Sequence, residues 1–198
     1  MGITTGILLF DDAEELDFAG PYEVLCAAAA LEKGDRVVTI AERSGLVRCA
    51  KGLRVLPDHA FADAPALDVV LVPGGQGTRR EVDNPVLLDW LAKAAARCQW
   101  VTSVCTGSLL LHASGLASGR RITTHWAFVE ALRGRAPDAT VLERVRYVCD
   151  GNVVTAAGVS AGIDMALWLV GQIWSVERAR RTQRLMEYDP APPYLAEV

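Results

Sequence analysis

Paired cysteines are missing from this sequence. Its five cysteines, at 26, 49, 98, 105 and 149, are odd in number, and none makes a C-x-x-C pair or a zinc-ligand spacing. That excludes a disulfide framework and fits a reducing, cytoplasmic compartment. Clustered cations are scarce as well: the formal net charge is -4, which argues against nucleic acid as a partner. The one dense run, Arg178 to Arg184, has helical spacing and reads as a solvated helix face. The apolar stretches are broken by Gly, Asp or Ser and are shorter than the ~20 residues that span a bilayer. No basic segment followed by an apolar run opens the chain as a leader would. Repeats, linkers and low-complexity tracts are lacking, so residues 1–198 are expected to form one domain.

With 51% hydrophobic and 22% charged residues the chain is globular. Strand-like runs are expected at Ile3–Phe10, Arg36–Ala41, Leu67–Val72, Trp100–Val104, Thr140–Val148 and Val153–Ala156, with a hairpin over 46–56. Between them lie helical patterns: Tyr22–Lys33 with Pro21 in its first turn, Pro85–Ala96 capped by Asn84, one after Cys105, Trp126–Arg133, Asp164–Trp174, and Ser175–Met186. Strands alternating with helices predict an α/β fold with a mostly parallel sheet covered on both faces. The hairpin and the 141–156 pair are expected to add antiparallel pieces at its edges. Residues 187–193 form a proline-rich terminal arm.

The stretch Trp100–Leu111 is the centre of this pattern. A β-favouring run meets Cys105, and Thr106-Gly107-Ser108 leads into Leu109-Leu110-Leu111. A strand turning sharply into a helix exposes the side chain at its corner. The helix N-terminus favours a thiolate there, so Cys105 is expected to be more acidic than a free cysteine at ~8.5. The other reading is a buried structural cysteine. Asp17 falls in a loop past a strand's carboxyl end, where ligands bind in open α/β sheets, or it caps the helix that follows. Gly74-Gly75, after Pro73, is either a turn or a pair of backbone donors aimed at the Cys105 ligand. Phe18, Trp126 and Val159 line either a pocket or the core. His125 is either a third member beside Cys105 or a histidine held by backbone hydrogen bonds. The small residues of Gly158–Gly162 permit close packing, with the elbow helix as the candidate neighbour.

Together, Asp17-Phe18-Ala19-Gly20-Pro21, Val72-Pro73-Gly74-Gly75, Ser103-Val104-Cys105-Thr106-Gly107, Thr123-Thr124-His125-Trp126, Gly158-Val159-Ser160-Ala161-Gly162 and Glu187-Tyr188-Asp189-Pro190 resemble the ThiJ/PfpI family of the class I glutamine-amidotransferase-like superfamily. Asp-Phe-x-Gly-Pro, Cys-Thr-Gly and Glu-Tyr-Asp-Pro are most similar to its isonitrile hydratase branch. The resemblance covers nearly the whole chain. It implies a flavodoxin-like three-layer sandwich with a nucleophile elbow, a homodimer, and a small-molecule substrate. Cys105 is then the nucleophile, Asp17 its acid/base partner and Thr106 a neighbour of the thiol, with Gly74 and Gly75 as backbone donors. The reaction implied is hydration of an isonitrile to an N-substituted formamide through a thioimidate on Cys105, with no metal or organic cofactor.

The sequence departs from other branches of the family. Thr106, not His, follows Cys105, and no histidine comes after His125. Asp17 stands where glyoxalase- and deglycase-like relatives carry Glu. Action on α-oxoaldehydes and a non-enzymatic redox-sensing role for Cys105 are the alternative readings. Domains of this kind also occur fused to helix-turn-helix regulators, and no such module is expected within this chain.

Overall fold

The computed structural model describes residues 2–31 and 33–190. The chain enters with β1 (Thr4–Leu8), α1 (Glu15–Ala29) and β2 (Arg36–Ala41). Three two-residue strands follow: β3 (Val47–Arg48), β4 (Arg54–Val55) and β5 (His59–Ala60). Next come β6 (Val69–Val72), a one-turn helix α2 (Thr78–Glu81), α3 (Pro85–Ala95), β7 (Trp100–Val104) and α4 (Gly107–Ala113). The second half holds β8 (Arg121–Ile122), α5 (Val129–Arg135), β9 (Thr140–Val141), β10 (Tyr147–Asp150), β11 (Val153–Ala156), α6 (Ala161–Ile173) and α7 (Val176–Leu185).

The central sheet runs β10-β11-β7-β6-β1-β2-β5. Every pairing in it is parallel except β10 with β11. Its middle strands are buried along almost their whole length, as expected of β-branched runs covered on both faces. On one side α1 and α6 join Val69 in an apolar cluster built from Val24, Leu25, Ala28, Ala166, Leu169 and Val170. The main core takes Leu87 and Leu91 from α3 and Leu109, Leu110 and Leu111 from α4. Helices therefore cover both faces of a mostly parallel sheet. Asn84 caps α3 by accepting from the N–H groups of Val86 and Leu87, and Ser175 caps α7 by accepting from Arg178.

Several expectations change. Helix α1 starts before Pro21 and takes Asp17 into its first turn. Proline is accommodated there because Phe18, Gly20, Pro21, Val24 and Leu25 are all buried, so packing outweighs one lost backbone bond. The hairpin β3–β4 is a separate two-stranded sheet and not an edge of the main one. The run Thr140–Val148 is broken: β9 pairs with β8 and β10 with β11, and between them Arg144 sits at φ 58°. The nearest neighbours of Gly158 and Gly162 lie outside the elbow helix. A Cβ on Gly162 would come 2.9 Å from Val104 of β7 and 3.1 Å from Pro21 of α1, so the small residue brings α6 against those two elements. Arg178 is not solvated: it is buried, 3.1 Å from Asp35, with its guanidinium over the Trp174 ring. Residues 191–193 of the expected terminal arm lie outside the described residues. Among the described residues no helix is long and apolar enough to cross a membrane.

Candidate active site

Cys105 stands at the carboxyl end of β7 with φ 55°, a left-handed backbone that a non-glycine residue adopts only when its surroundings impose it. Those surroundings are specific. The Cys105 N–H donates to the carbonyls of Ala156 and Ala157, both at 3.1 Å. Its carbonyl accepts from the hydroxyls of Thr124 at 2.9 Å and Ser108 at 3.2 Å. The elbow is thus held from β11, from the loop after β8 and from its own helix.

Asp17 is fully buried. The Gly74 N–H donates to its Oδ2 at 2.9 Å. Its Oδ1 is sealed from solvent with no hydrogen-bond partner of standard geometry. The Cys105 thiol is close enough to act on the carboxyl as a weak donor. Burial pushes Asp17 up to about 7, the Gly74 N–H draws it down, and the Glu14 charge raises it further. No cap bond is made by Asp17, and the N-cap position belongs to Glu14. Asp17 is therefore a buried acid beside a thiol, held at one oxygen and open at the other.

The expectation of an acidic Cys105 is corrected. Burial and the Asp17 carboxylate push the thiol up to about 12, although the N–H groups of Thr106 and Val159 pull the other way. The α4 end supplies one amide, that of Thr106, and the loop before α6 supplies that of Val159; the sulfur is only 7% exposed, and desolvation wins. At neutral pH the sulfur therefore keeps its proton while Asp17 is poised to take one.

The glycine pair works inward. The Gly74 amide serves Asp17, and the Gly75 N–H donates to Thr106 Oγ1 at 3.0 Å, while Gly75 itself lines the Cys105 cleft. A Cβ on Gly74 would lie 2.5 Å from the Thr106 nitrogen and 2.8 Å from Cys105 Cβ, so only glycine lets this strand end approach the elbow. The amides directed at the sulfur are instead those of Thr106 and Val159. The Thr106 hydroxyl does not meet Asp17. It donates to the Gly75 carbonyl at 3.2 Å and lies 3.1 Å from Thr78 Oγ1 and 3.4 Å from Arg79 Nη1.

A cleft of about 240 Å³ opens on Cys105, lined also by Glu14, Arg79, Thr106, His125, Phe128 and Val159. Val159, at φ 42°, is the one expected apolar wall residue that reaches it. Phe18 lies in the core, and Trp126 is 81% exposed on a neighbouring groove of about 600 Å³. His125 accepts the Ala127 N–H on Nδ1 at 3.2 Å and caps the short 3-10 helix Trp126–Phe128. Burial and the Arg79 charge lower its pKa, so it is neutral at pH 7. Glu14, Thr78, Arg79 and Phe128 were not anticipated. The one available signal was Thr78-Arg79 closely following the Gly74-Gly75 pair, a segment in which the sequence pattern marks no helix. Among the described residues no group of three or more His, Cys, Asp or Glu could hold a metal ion.

Comparison with known proteins agrees with this architecture. The family model described as "DJ-1/PfpI family" matches residues 5–172. An isonitrile hydratase from Pseudomonas putida is 41% identical over 98% of this chain and 82% of its own length. The crystal structure of a ThiJ/PfpI family protein from Pseudomonas syringae superposes with a TM-score of 0.90 at 32% identity, covering 98% of this chain and 78% of that one. Drosophila melanogaster DJ-1beta has the same fold, with a TM-score of 0.82 at 22% identity over 96% of this chain and all of that one. The chain belongs to the DJ-1/PfpI family.

Proposed function

We propose that this protein is an isonitrile hydratase, a cysteine-dependent lyase that converts a small isonitrile to an N-substituted formamide. The observation that carries this reading is the placement of the Cys105 thiol, on its left-handed elbow, beside the fully buried Asp17 carboxyl that the Gly74 N–H holds by one oxygen. The 41% identity to an isonitrile hydratase supports it. Between them the two groups share one proton near neutrality, and it can move without solvent. As the Cys105 sulfur attacks the terminal isonitrile carbon, its proton passes through Asp17 to that carbon. A thioimidate, R–N=CH–S–Cys105, results. Asp17, ionised again, then takes a proton from water as the hydroxide adds to the same carbon, and passes that proton to the nitrogen. The C–S bond breaks while the proton of the new hydroxyl returns through Asp17 to the sulfur, so R–NH–CHO leaves and the thiol is restored. One hard hydration becomes two easier steps. The Thr106 and Val159 amides steady negative charge on the sulfur as the proton leaves.

No step requires a cofactor. A high-pKa, buried thiol weighs against the redox-sensing reading, which needs an accessible acidic one. The homodimer and the cytoplasmic location belong to the same proposal. Leu46, Leu53 and Leu56, on and beside the β3–β4 hairpin, are exposed apolar side chains that a second copy would cover, and the free cysteines fit a reducing compartment. Sedimentation as a monomer at micromolar concentration would remove the dimer. The decisive experiment is formamide release from cyclohexyl isocyanide and from isocyanoacetate by the reduced protein. Turnover that saturates with substrate is expected for at least one, and none with either, the thiol shown intact, would sink the hydratase reading.

A further inference from the structure

Two charged side chains border the Cys105 cleft, Glu14 and Arg79. Glu14 is already engaged by the ammonium of Lys51, which reaches it from the β3–β4 turn. Arg79 has no such partner. Its Nη1 donates to the Gly75 carbonyl at 2.8 Å and touches the Thr78 and Thr106 hydroxyls at 3.1 and 3.4 Å, all neutral oxygens. The guanidinium lies over the Phe128 ring, 4.6 Å from its centroid. Among the described residues, Nε and Nη2 have no acceptor and no carboxylate lies within ion-pair distance. A planar fork is thus fixed by one corner and one face, with donors left over, beside the residue that follows the nucleophile.

Free guanidinium donors suit a carboxylate, which they can bind in bidentate fashion. The need for such a cation is local. Asp17 is anionic above about pH 7 and the sulfur becomes anionic during attack, so an unassisted anion would be repelled from this cleft. We infer that Arg79 is the carboxylate-binding residue of the cleft, and that the substrate is a small isonitrile carrying a carboxylate close to its isonitrile carbon. The isonitrile half of this statement rests on the hydratase reading, and the anion half does not. Arg79 Nη1 lies 3.4 Å from the hydroxyl of Thr106, the residue after Cys105, which keeps a bound carboxylate near the reacting carbon.

The test separates the two halves. Iodoacetate and iodoacetamide have similar size and one leaving group. In both, the Cys105 sulfur forms a C–S bond to the methylene, iodide departs with the C–I electrons, and the thiol proton goes to Asp17 or water. Rates at Cys105, followed by peptide mass spectrometry, are divided and compared with the same ratio for glutathione. Wild type is expected to favour iodoacetate about tenfold more than glutathione does, the size of one charge-assisted contact. Arg79→Gln brings the ratio down to the glutathione value, whereas Arg79→Lys keeps part of the preference. A wild-type ratio equal to that of glutathione, or one untouched by Arg79→Gln, overturns the proposal. So does failure of both reagents at Cys105 while the other accessible cysteines react, because an anion site opening on the sulfur must admit a two-carbon anion. Isocyanoacetate and its methyl ester supply the second readout, with kcat/KM expected to favour the acid and Arg79→Gln to lower that ratio. An iodoacetate preference without formamide from either isonitrile keeps the anion site and removes the hydratase.

Discussion

Cys98 and Cys105 flank the same strand, one before β7 and one after it, and by burial and basicity they are nearly indistinguishable. Both are almost sealed, at 8% and 7% exposure, and both are pushed up to about 12 by burial with a nearby carboxylate, Asp68 or Asp17, adding to it. Their neighbours differ. The Cys98 sulfur donates to two backbone carbonyls, Leu67 at 3.5 Å and Ala94 at 3.4 Å, groups that can accept a weak hydrogen bond but cannot take the proton. The Cys105 sulfur faces two amides and a carboxyl whose own pKa is about 7. A thiol's pKa therefore does not identify a nucleophile here. What distinguishes Cys105 is an internal proton acceptor and donors that stabilise the anion once the proton has gone.

The largest effects should come from dismantling that difference. Cys105→Ala is expected to lower formamide production at least ~10⁴-fold, since no other group can form the thioimidate. Asp17→Asn should lower kcat by roughly 10²–10⁴, the usual worth of a positioned acid/base. Asparagine can still accept the Gly74 N–H, so the loss would report proton transfer and not a collapsed site. In wild type, kcat/KM should rise with pH through about 7 as Asp17 ionises, and that limb should vanish in Asp17→Asn. A full rate in Asp17→Asn would keep the nucleophile and reject the acid/base role.

The same carboxyl links function to stability, and the sign is fixed by its raised pKa. The folded value is about 7 against 3.8 for an unperturbed carboxyl, the value of the unfolded chain. Between those values the folded state holds a proton that the unfolded chain has released. The stabilisation is complete below about pH 4 and is lost as pH rises through about 7. A shift of this size corresponds to about 4 kcal/mol at most. Urea titrations of wild type and Asp17→Asn should show a gap that opens in favour of the variant from pH 5 to pH 8. Parallel curves across that range would mean that Asp17 is not buried as an acid.

How much of this was readable without coordinates depends on the distance over which each feature is set. Arg36–Ala41 and the Asn84-Pro85 cap were legible to the residue, because strand and cap chemistry are local. So was the strand-to-helix turn at Cys105. Position places Asp17 in a loop, since Pro21 marks a helix start unless tertiary packing overrides it, and its acid/base role comes only from the family resemblance. The sulfur's basicity was misjudged because helix polarity is visible in sequence whereas desolvation is a property of the assembled core. For Phe18 and Trp126 motif proximity leaves side-chain direction open: Phe18 takes the core alternative, and Trp126 stands exposed on the groove beside the Cys105 cleft. Arg79 was missed because α2 is a single turn, too short to leave a periodic signal.

The smallest effect belongs to the other half of the pair, and it decides whether the contrast is real. Cys98→Ala removes a buried sulfur that makes only weak S–H contacts to Leu67 and Ala94. Deleting one small buried group costs roughly 1 kcal/mol through lost transfer energy and a shallow cavity, and for a domain of this size that lowers Tm by about 2–4 °C. Formamide production per folded molecule should stay within about twofold of wild type, an allowance set by the 1 kcal/mol scale of surrounding repacking. Both readings come from one preparation, a melting curve and a rate. A variant that melts lower yet turns over normally places Cys98 in the core, as a packing group with no acceptor for its proton. A rate that fell with Cys98→Ala as it does with Cys105→Ala would show that burial and basicity were the relevant properties after all, and the role of the Asp17 neighbour would have to be given up.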